Sequence, residues 1–350
     1  MKKRISDEDL DYIIGNTRGL WEEIRGKRIF ITGGTGFFGN WLLESFVRAN
    51  EVLGLGARAL VLTRAPSVFF EKNPRLATHP ALELRAGDVR DFEFPGGEFS
   101  HIIHAATDTS AKLNNEDPAK LIDVIVRGTM RTLDFAVQWP RVKFLLVSSG
   151  AVYGSQPSSL SHVHEDYQGA PDIMDAANAY AEGKRVAELL CAIYAKQYGL
   201  ETKIARCFAF VGPHMAIDAH FAVGNFIGDA LRGGPIVVKG DGTPYRSYLY
   251  ASDLAVWLWT ILFRGRSCVP YNVGSDAAMT VAEAAREVAE CFAPRPRVCI
   301  SQKAGPDGPR QRYVPSVERA GRELNLKQGV SLSEAVEKTA SFFRQELKIS

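Results

Sequence analysis

A chain of 350 residues, 46% of them hydrophobic, is able to bury a large core and is long for one compact domain. Its 42 basic and 40 acidic residues nearly cancel and form no basic stripe, which argues against a nucleic-acid partner. Five cysteines, an odd number with no Cys-x-x-Cys pair, argue against a disulfide framework or a zinc site, so no metal is expected and a reducing cytoplasm fits. The opening MKKRISDEDLDYII turns acidic after four residues and lacks a long apolar stretch, so it does not read as a secretory signal. No apolar run is long enough to suggest a membrane span.

In chain order, residues 7–25 are expected to form a helical prelude, with Ser6 ahead of Asp7, Glu8 and Asp9 as a capped start. RIFIT (28–32) is apolar and β-branched, the pattern of a buried strand. GGTGFFG and the helical pattern NWLLESFVRAN follow it. Further strands are expected at 59–63, 82–88, 101–106, 143–149 and 201–208, with helices near 118–138 and 178–198. Strands alternating with helices predict an α/β fold built on a doubly wound parallel sheet. After about 210 the pattern loosens into short elements rich in Pro and Gly, with helices near 222–232 and 279–292. This region reads as a smaller lobe whose segments return in part to the sheet. LAVWLWTILF (254–263) is too short to span a membrane and reads as a buried helix. The expected division is a helical extension (1–26), a dinucleotide-binding domain (27–210) and a mainly substrate-binding lobe (211–350).

GGTGFFG sets glycines at 33, 36 and 39 between a strand and a helix. Glycine permits the tight turn and lets backbone N–H groups approach a pyrophosphate. The helix start, at Phe37 and Phe38, adds partial positive charge. The second strand ends in Thr63 and Arg64, where an acid would usually hold the ribose hydroxyls of NAD. A basic side chain there suits a 2′-phosphate and tilts the cofactor from NAD toward NADP; stacking on adenine, or simple solvation, is the other reading of Arg64. Asp88, followed by Val89, ends the third strand, either bonding the adenine amino group or serving as an ordinary turn residue.

Tyr180 and Lys184 lie four residues apart on one helical face. An ammonium beside a phenol is expected to lower the tyrosine pKa from its usual value near 10. Such a tyrosine exchanges a proton with a sugar oxygen while hydride moves to or from a nicotinamide. Ser149 ends a parallel strand, the edge where ligands bind in such sheets.

GGTGFFG, HAAT (104–107), SSGAVYG (148–154), YAEGK (180–184), Gly212–Pro213, RSYLYASDLA (246–255) and RQRYVPS (310–316) together resemble the extended short-chain dehydrogenase/reductases acting on nucleotide sugars, over nearly all of 27–345. Within that family the stretch from Tyr180 to Arg206, followed by GNFIGDALRGG, is most similar to UDP-glucuronate decarboxylases and deoxysugar 4,6-dehydratases. The resemblance implies a Rossmann-type domain, a tightly held NAD or NADP, a nucleotide-sugar substrate and a homodimer joined partly through the Tyr180 helix. It implies that Gly33, Gly36 and Gly39 cradle the pyrophosphate, and that Ala105, Ala106 and Thr107 line the nicotinamide side. Ser149, Tyr180 and Lys184 become the catalytic hydroxyl, the base and the cofactor-binding lysine. Asn225 contacts the substrate phosphate, while Arg246 and Arg312 clamp its pyrophosphate.

The chain departs from that pattern at Gly150 and Ala151. The dehydratases carry two acids after the catalytic hydroxyl and the decarboxylases keep one Glu. Water elimination needs groups that take and give protons at C5 and C6, which neither Gly nor Ala does. The remaining set suffices for C4 epimerisation or for reduction of a 4-keto sugar. A dehydratase or decarboxylase would need its acid from elsewhere, and the 162–178 loop offers His164, Glu165, Asp166, Asp172 and Asp175. These read more simply as a polar loop and helix cap. A catalytically silent dinucleotide-binding sensor or scaffold is the reading from another class. Ile125 and Ala209 also stand where the family carries Asn, which implies an altered substrate pocket.

Overall fold

The structure, a computed structural model, describes residues 4–107, 111–218, 221–303, 305 and 311–347. Strands β1 (Arg28–Thr32), β2 (Arg58–Thr63), β3 (Leu82–Ala86), β4 (His101–His104), β5 (Lys143–Ser149) and β6 (Glu201–Cys207) join Pro270–Val273 in one parallel sheet. The order is 270–273, β6, β5, β4, β1, β2, β3. Sequence order reverses between β1 and β4, so the crevice beyond their carboxyl ends is a switch point where such sheets bind ligands. The expected Rossmann-type architecture is present, and 270–273 is a segment that crosses back to the sheet from beyond 210.

The near-continuous apolar character of the strands follows from burial on both faces. On one face Phe30, Phe92, Phe99, Phe135 and Phe144 form an aromatic core. The other face holds Trp21, Trp41, Trp257 and Trp259. Helix Ala251–Arg264 is buried from Ala251 through Phe263, which accounts for its apolar sequence without a membrane. No helix among the described residues is long and apolar enough to cross one.

Two strands are shorter than the sequence predicts. β4 stops at His104 because residues 105–106 leave the ladder and bend toward β1: the Ala105 N–H donates to the Thr32 carbonyl at 3.2 Å and the Ala106 N–H to Thr32 Oγ1 at 3.2 Å. β3 ends at Ala86, before Gly87, which sits tightly against Leu62 and Phe92.

The prelude consists of helix α1 (Asp7–Thr17), capped by Ser6, and a tighter turn over Arg18–Ile24. It packs on helix Ala251–Arg264. Tyr12 donates to Asp253 at 2.7 Å, and Asp253 accepts the backbone N–H groups of Gly329 and Val330. Tyr250 donates to Asp9 at 2.9 Å, and Lys338 pairs with Glu8 and Asp9.

Candidate active site

The glycine turn joins β1 to helix α2 (Phe37–Leu53). Gly33 has φ +73°, and a Cβ there would lie 2.5 Å from the Ala105 carbonyl group, so the turn needs glycine on two counts. A Cβ at Gly39 would strike Gly34 at 2.2 Å, which explains the close seating of the helix. At Gly36 a Cβ would meet only Gly33 O, at 3.6 Å. Gly36 opens α2 without a side-chain cap, leaving the first-turn N–H groups of Phe37 and Phe38 available to an anion. This cradle fits the pyrophosphate of a dinucleotide.

Along the crevice, Thr63 is buried at the end of β2 and Arg64 is exposed beside it. Asp88 is gripped by Arg90 through both oxygens at 2.9 Å, and that contact, helped by Arg64, holds its carboxyl below the usual range. Each Asp88 oxygen keeps a further lone pair for a ligand. Val89 is buried against Gly128.

A threonine–histidine chain holds residues 105–107 from beneath. Thr129 gives its proton to the Ile125 carbonyl at 2.7 Å, so at 3.1 Å it accepts from His104 Nε2. His104 Nδ1 then accepts from Thr32 at 2.8 Å, and Thr32 accepts from the Ala106 N–H. Burial pushes His104 down to about 3, so it stays neutral and the chain keeps one direction. Ile125, in the place of the family's Asn, is buried and packs against Gly183 behind the Tyr180 helix.

Ser149, Tyr180, Lys184 and Thr107 meet at the carboxyl edge of β5. Lys184 Nζ donates to Thr107 Oγ1 and to the Val147 carbonyl, both at 2.8 Å. It sits 6.0 Å from the centre of the Tyr180 ring. The sequence predicts a lowered tyrosine pKa; the structure gives the opposite. Burial pushes Tyr180 up to about 12, a Ser149 hydrogen bond pulling the other way, while the ammonium is committed to Thr107 and the backbone. Tyr180 is therefore a protonated acid at neutral pH.

Burial also lowers Lys184 from 10.5 to about 8. Between those values the unfolded chain holds a proton that the folded chain has released. Stability from this group is full above 10.5 and is lost as pH falls through about 8, a swing of ~3 kcal/mol. Wild type minus Lys184→Met, measured by urea unfolding, should show that rise across the window; a flat difference would disprove it.

The place of the absent acid is occupied. A Cβ on Gly150 would lie 2.6–2.8 Å from the tip of the Phe208 ring. Phe208 in turn stacks on Tyr313, centroids 4.7 Å apart. Neither aromatic residue is marked by a sequence motif. The signal for Phe208 was its position directly after Cys207, the ladder partner of Ser149. Tyr313 directly follows Arg312, on a strand that pairs with Tyr245–Arg246.

That pairing brings the two arginines of the sequence reading together. Arg312 lies 4.0 Å over the Tyr245 ring, and Arg246 donates to the Tyr245 carbonyl at 2.8 Å. Burial lowers the Arg246 pKa, and neither arginine pairs with a carboxylate among the described residues. Two partly buried cations without acids suit an anionic ligand. Asn225 is half-buried on helix Ala222–Leu231. Arg310, at the head of RQRYVPS, lies outside the described residues.

The loop acids have structural partners. Asp172 and Asp175 accept the N–H groups of Met174 and Ala177, each at 2.9 Å. Asp166 pairs with Arg319 at 2.6 Å, and buried Glu165 accepts the Asn272 N–H at 2.9 Å. His164 is exposed. A polar loop with a capped turn is the better description of these residues.

A sequence model of the NAD dependent epimerase/dehydratase family matches residues 29–274. UDP-glucuronic acid decarboxylase 6 of Arabidopsis thaliana is 34% identical over 328 residues, covering 92% of this chain and 90% of that protein. UDP-glucuronic acid decarboxylase 1 of Danio rerio is 31% identical, covering 92% and 74%. Among solved structures, UDP-glucose 4-epimerase of Thermotoga maritima with UDP-glucose superposes with a TM-score of 0.77 at 21% identity, covering 91% of this chain and 99% of that one. The dTDP-glucose 4,6-dehydratase of Bacillus anthracis in complex with NAD gives 0.73 at 20% identity, covering 92% and 98%. At such identities the structures speak for the fold, whereas the family match and the decarboxylase identities speak for descent. The chain belongs to the NAD-dependent epimerase/dehydratase family of enzymes.

Proposed function

We propose that this enzyme acts on a nucleotide-activated sugar and moves hydride at C4, as a C4 epimerase or a 4-keto sugar reductase. The observation that carries the reading is the site's composition: Ser149, Tyr180 and Lys184 converge, while Phe208 fills the space beside Gly150 that an acid would need. A bound dinucleotide supplies the hydride acceptor or donor. Gly33, Gly36, Gly39 and the α2 terminus hold its pyrophosphate, and Thr107 with Lys184 line its reacting end. Tyr180, protonated at neutral pH, gives its proton to the C4 oxygen in the reducing direction and recovers it in the other. Ser149 bonds the same oxygen. Arg246 and Arg312 anchor the substrate pyrophosphate, with Asn225 on a phosphate. Arg64, exposed at the end of β2, supports NADP over NAD through a 2′-phosphate contact.

The second reading, decarboxylation of a nucleotide-linked glucuronate, is favoured by the 34% identity to the Arabidopsis decarboxylase. It requires acid chemistry from somewhere other than Gly150 and Ala151. The assembled hydroxyl–phenol–lysine set speaks against a silent sensor. A homodimer is supported by helices Pro118–Ala136 and Ala179–Tyr198, which pack together and leave Met130, Leu189 and Tyr198 exposed. A cytoplasmic setting is supported by Cys191, Cys207, Cys268, Cys291 and Cys299, all unpaired.

Mass spectrometry of the purified protein, incubated with UDP-, dTDP-, CDP- and GDP-sugars, tests the reading and identifies any dinucleotide that co-purifies. An isomer of unchanged mass, or a 4-keto sugar gaining two hydrogens, is the expected product. Loss of carbon dioxide would replace the proposal with the decarboxylase, loss of water with a dehydratase, and no change in any sugar would favour the silent class.

A further inference from the structure

We propose that Tyr313 is a positioning residue for the reaction, directing the single proton of Ser149 toward Tyr180 and the substrate oxygen. The proposal rests on the roles given to Ser149 and Tyr180 above.

Tyr313 reaches the site from the far end of the chain and is firmly placed there. Its strand pairs in parallel with Tyr245–Arg246, Tyr313 opposite Arg246. The neighbouring backbone is fastened on the other side. Val314 N–H donates to Gln156 Oε1 at 2.9 Å, Val163 N–H to the Val314 carbonyl at 2.9 Å, and Ser316 N–H to the Val163 carbonyl at 2.9 Å. The ring is clamped by its stack on Phe208, which itself abuts Gly150 and Gly274. The phenol so held makes a side-chain hydrogen bond with Ser149, beside Tyr180, Cys207 and Arg246. Burial raises its pKa, so it carries its proton.

Ser149 thus stands between two phenols, and hydrogen-bond counting assigns their roles. A serine hydroxyl has one proton and two lone pairs. One lone pair accepts the Ala151 N–H at 3.1 Å. The remaining lone pair and the proton serve the two tyrosines, so Ser149 accepts from one and donates to the other. Tyr180 must keep its own proton free for the substrate, and therefore accepts from Ser149. Tyr313 is then the donor. A chain of donors polarises each member, so the Tyr313 proton makes Ser149 a stronger donor. Tyr313 itself exchanges no proton with the substrate.

Tyr313→Phe keeps the ring and its stack on Phe208 and removes only the donor. Turnover is expected to fall about tenfold, the scale of one lost hydrogen bond, with KM little changed. Because the effect runs through Ser149, Tyr313→Phe should cost nothing further in a Ser149→Ala background. The basic limb of the pH–rate profile should move upward, since a weaker Ser149 donor supports the Tyr180 phenolate less. A readout independent of the substrate is carbon NMR of dinucleotide-loaded enzyme labelled at tyrosine Cζ, with the Tyr180 signal assigned by Tyr180→Phe. Tyr313→Phe should shift that signal, and the shift should vanish when Ser149 is Ala. Additive kinetic losses, or a Tyr180 signal that does not respond to Tyr313→Phe, would overturn the proposal. Absence of turnover on every nucleotide sugar would defeat the functional reading alone, leaving the NMR comparison to decide the role of Tyr313.

Discussion

Tyr180→Phe is expected to reduce hydride transfer by roughly 100-fold or more while the dinucleotide stays bound, the range for loss of a positioned acid–base group. Phenylalanine keeps the ring and removes one oxygen. Lys184 retains both of its partners, Thr107 and the Val147 carbonyl, so the wall facing the dinucleotide is unchanged. Ser149 still accepts the Ala151 N–H. What is lost is the only proton that burial keeps in place at neutral pH beside Ser149 and open to substrate. Rapid-mixing absorbance of the nicotinamide, with dinucleotide content measured on the same sample, separates loss of chemistry from loss of cofactor. Near-normal turnover in the variant would sink the assignment.

The second large effect is expected at Gly150. Gly150→Asp, the obvious way to restore a dehydratase-like acid, should destabilise the fold by about 3 kcal/mol or more and confer no eliminating activity. The new Cβ meets Phe208 Cζ at 2.6 Å and its Cε atoms at 2.7 and 2.8 Å. Phe208 cannot retreat freely, because Tyr313 lies on one side and Gly274 allows only 3.2 Å to its Cβ. Overpacking of this kind costs about 1–3 kcal/mol, and a carboxylate buried against aromatic rings adds a desolvation penalty. The clash identifies its own partner: Phe208→Ala should cost less in the Gly150→Asp background than in wild type. Urea unfolding of the four proteins measures this. Equal costs in both backgrounds would mean that Phe208 does not occupy the acid's place.

The sequence makes the sheet legible because parallel strands buried on both faces read as short apolar runs, and β1 and β5 fall where RIFIT and KFLLVSS predict. The glycine turn is legible because steric limits at Gly33 admit few alternatives. Ser149, Tyr180 and Lys184 are visible through helical spacing and strand ends. Phe208 and Tyr313 are not, because an aromatic residue after a strand looks like core until the β5–β6 register puts it beside Ser149. The state of Tyr180 was misread for a related reason. Proximity of Lys184 is readable from a four-residue spacing, but burial and the partners claiming its ammonium come only from the assembled fold. The ends of β3 and β4 differ from expectation because residues past them turn into the crevice, and ligand-facing backbone carries no periodicity.

The bonds that fasten α1 have a consequence for how the chain is made. Tyr12 and Asp9 find their partners, Asp253 and Tyr250, 241 positions later, and Lys338 later still. At translation rates of about 5–20 residues per second, roughly 10 to 50 s separate synthesis of the helix from that of the surface it binds. During that interval Leu10, Ile13 and Ile14, buried in the finished protein, have no completed core to enter. Although the early half carries the strands of a dinucleotide fold, its first helix must wait on the ribosome for the last, so the chain is set to close as one late cooperative event rather than domain by domain.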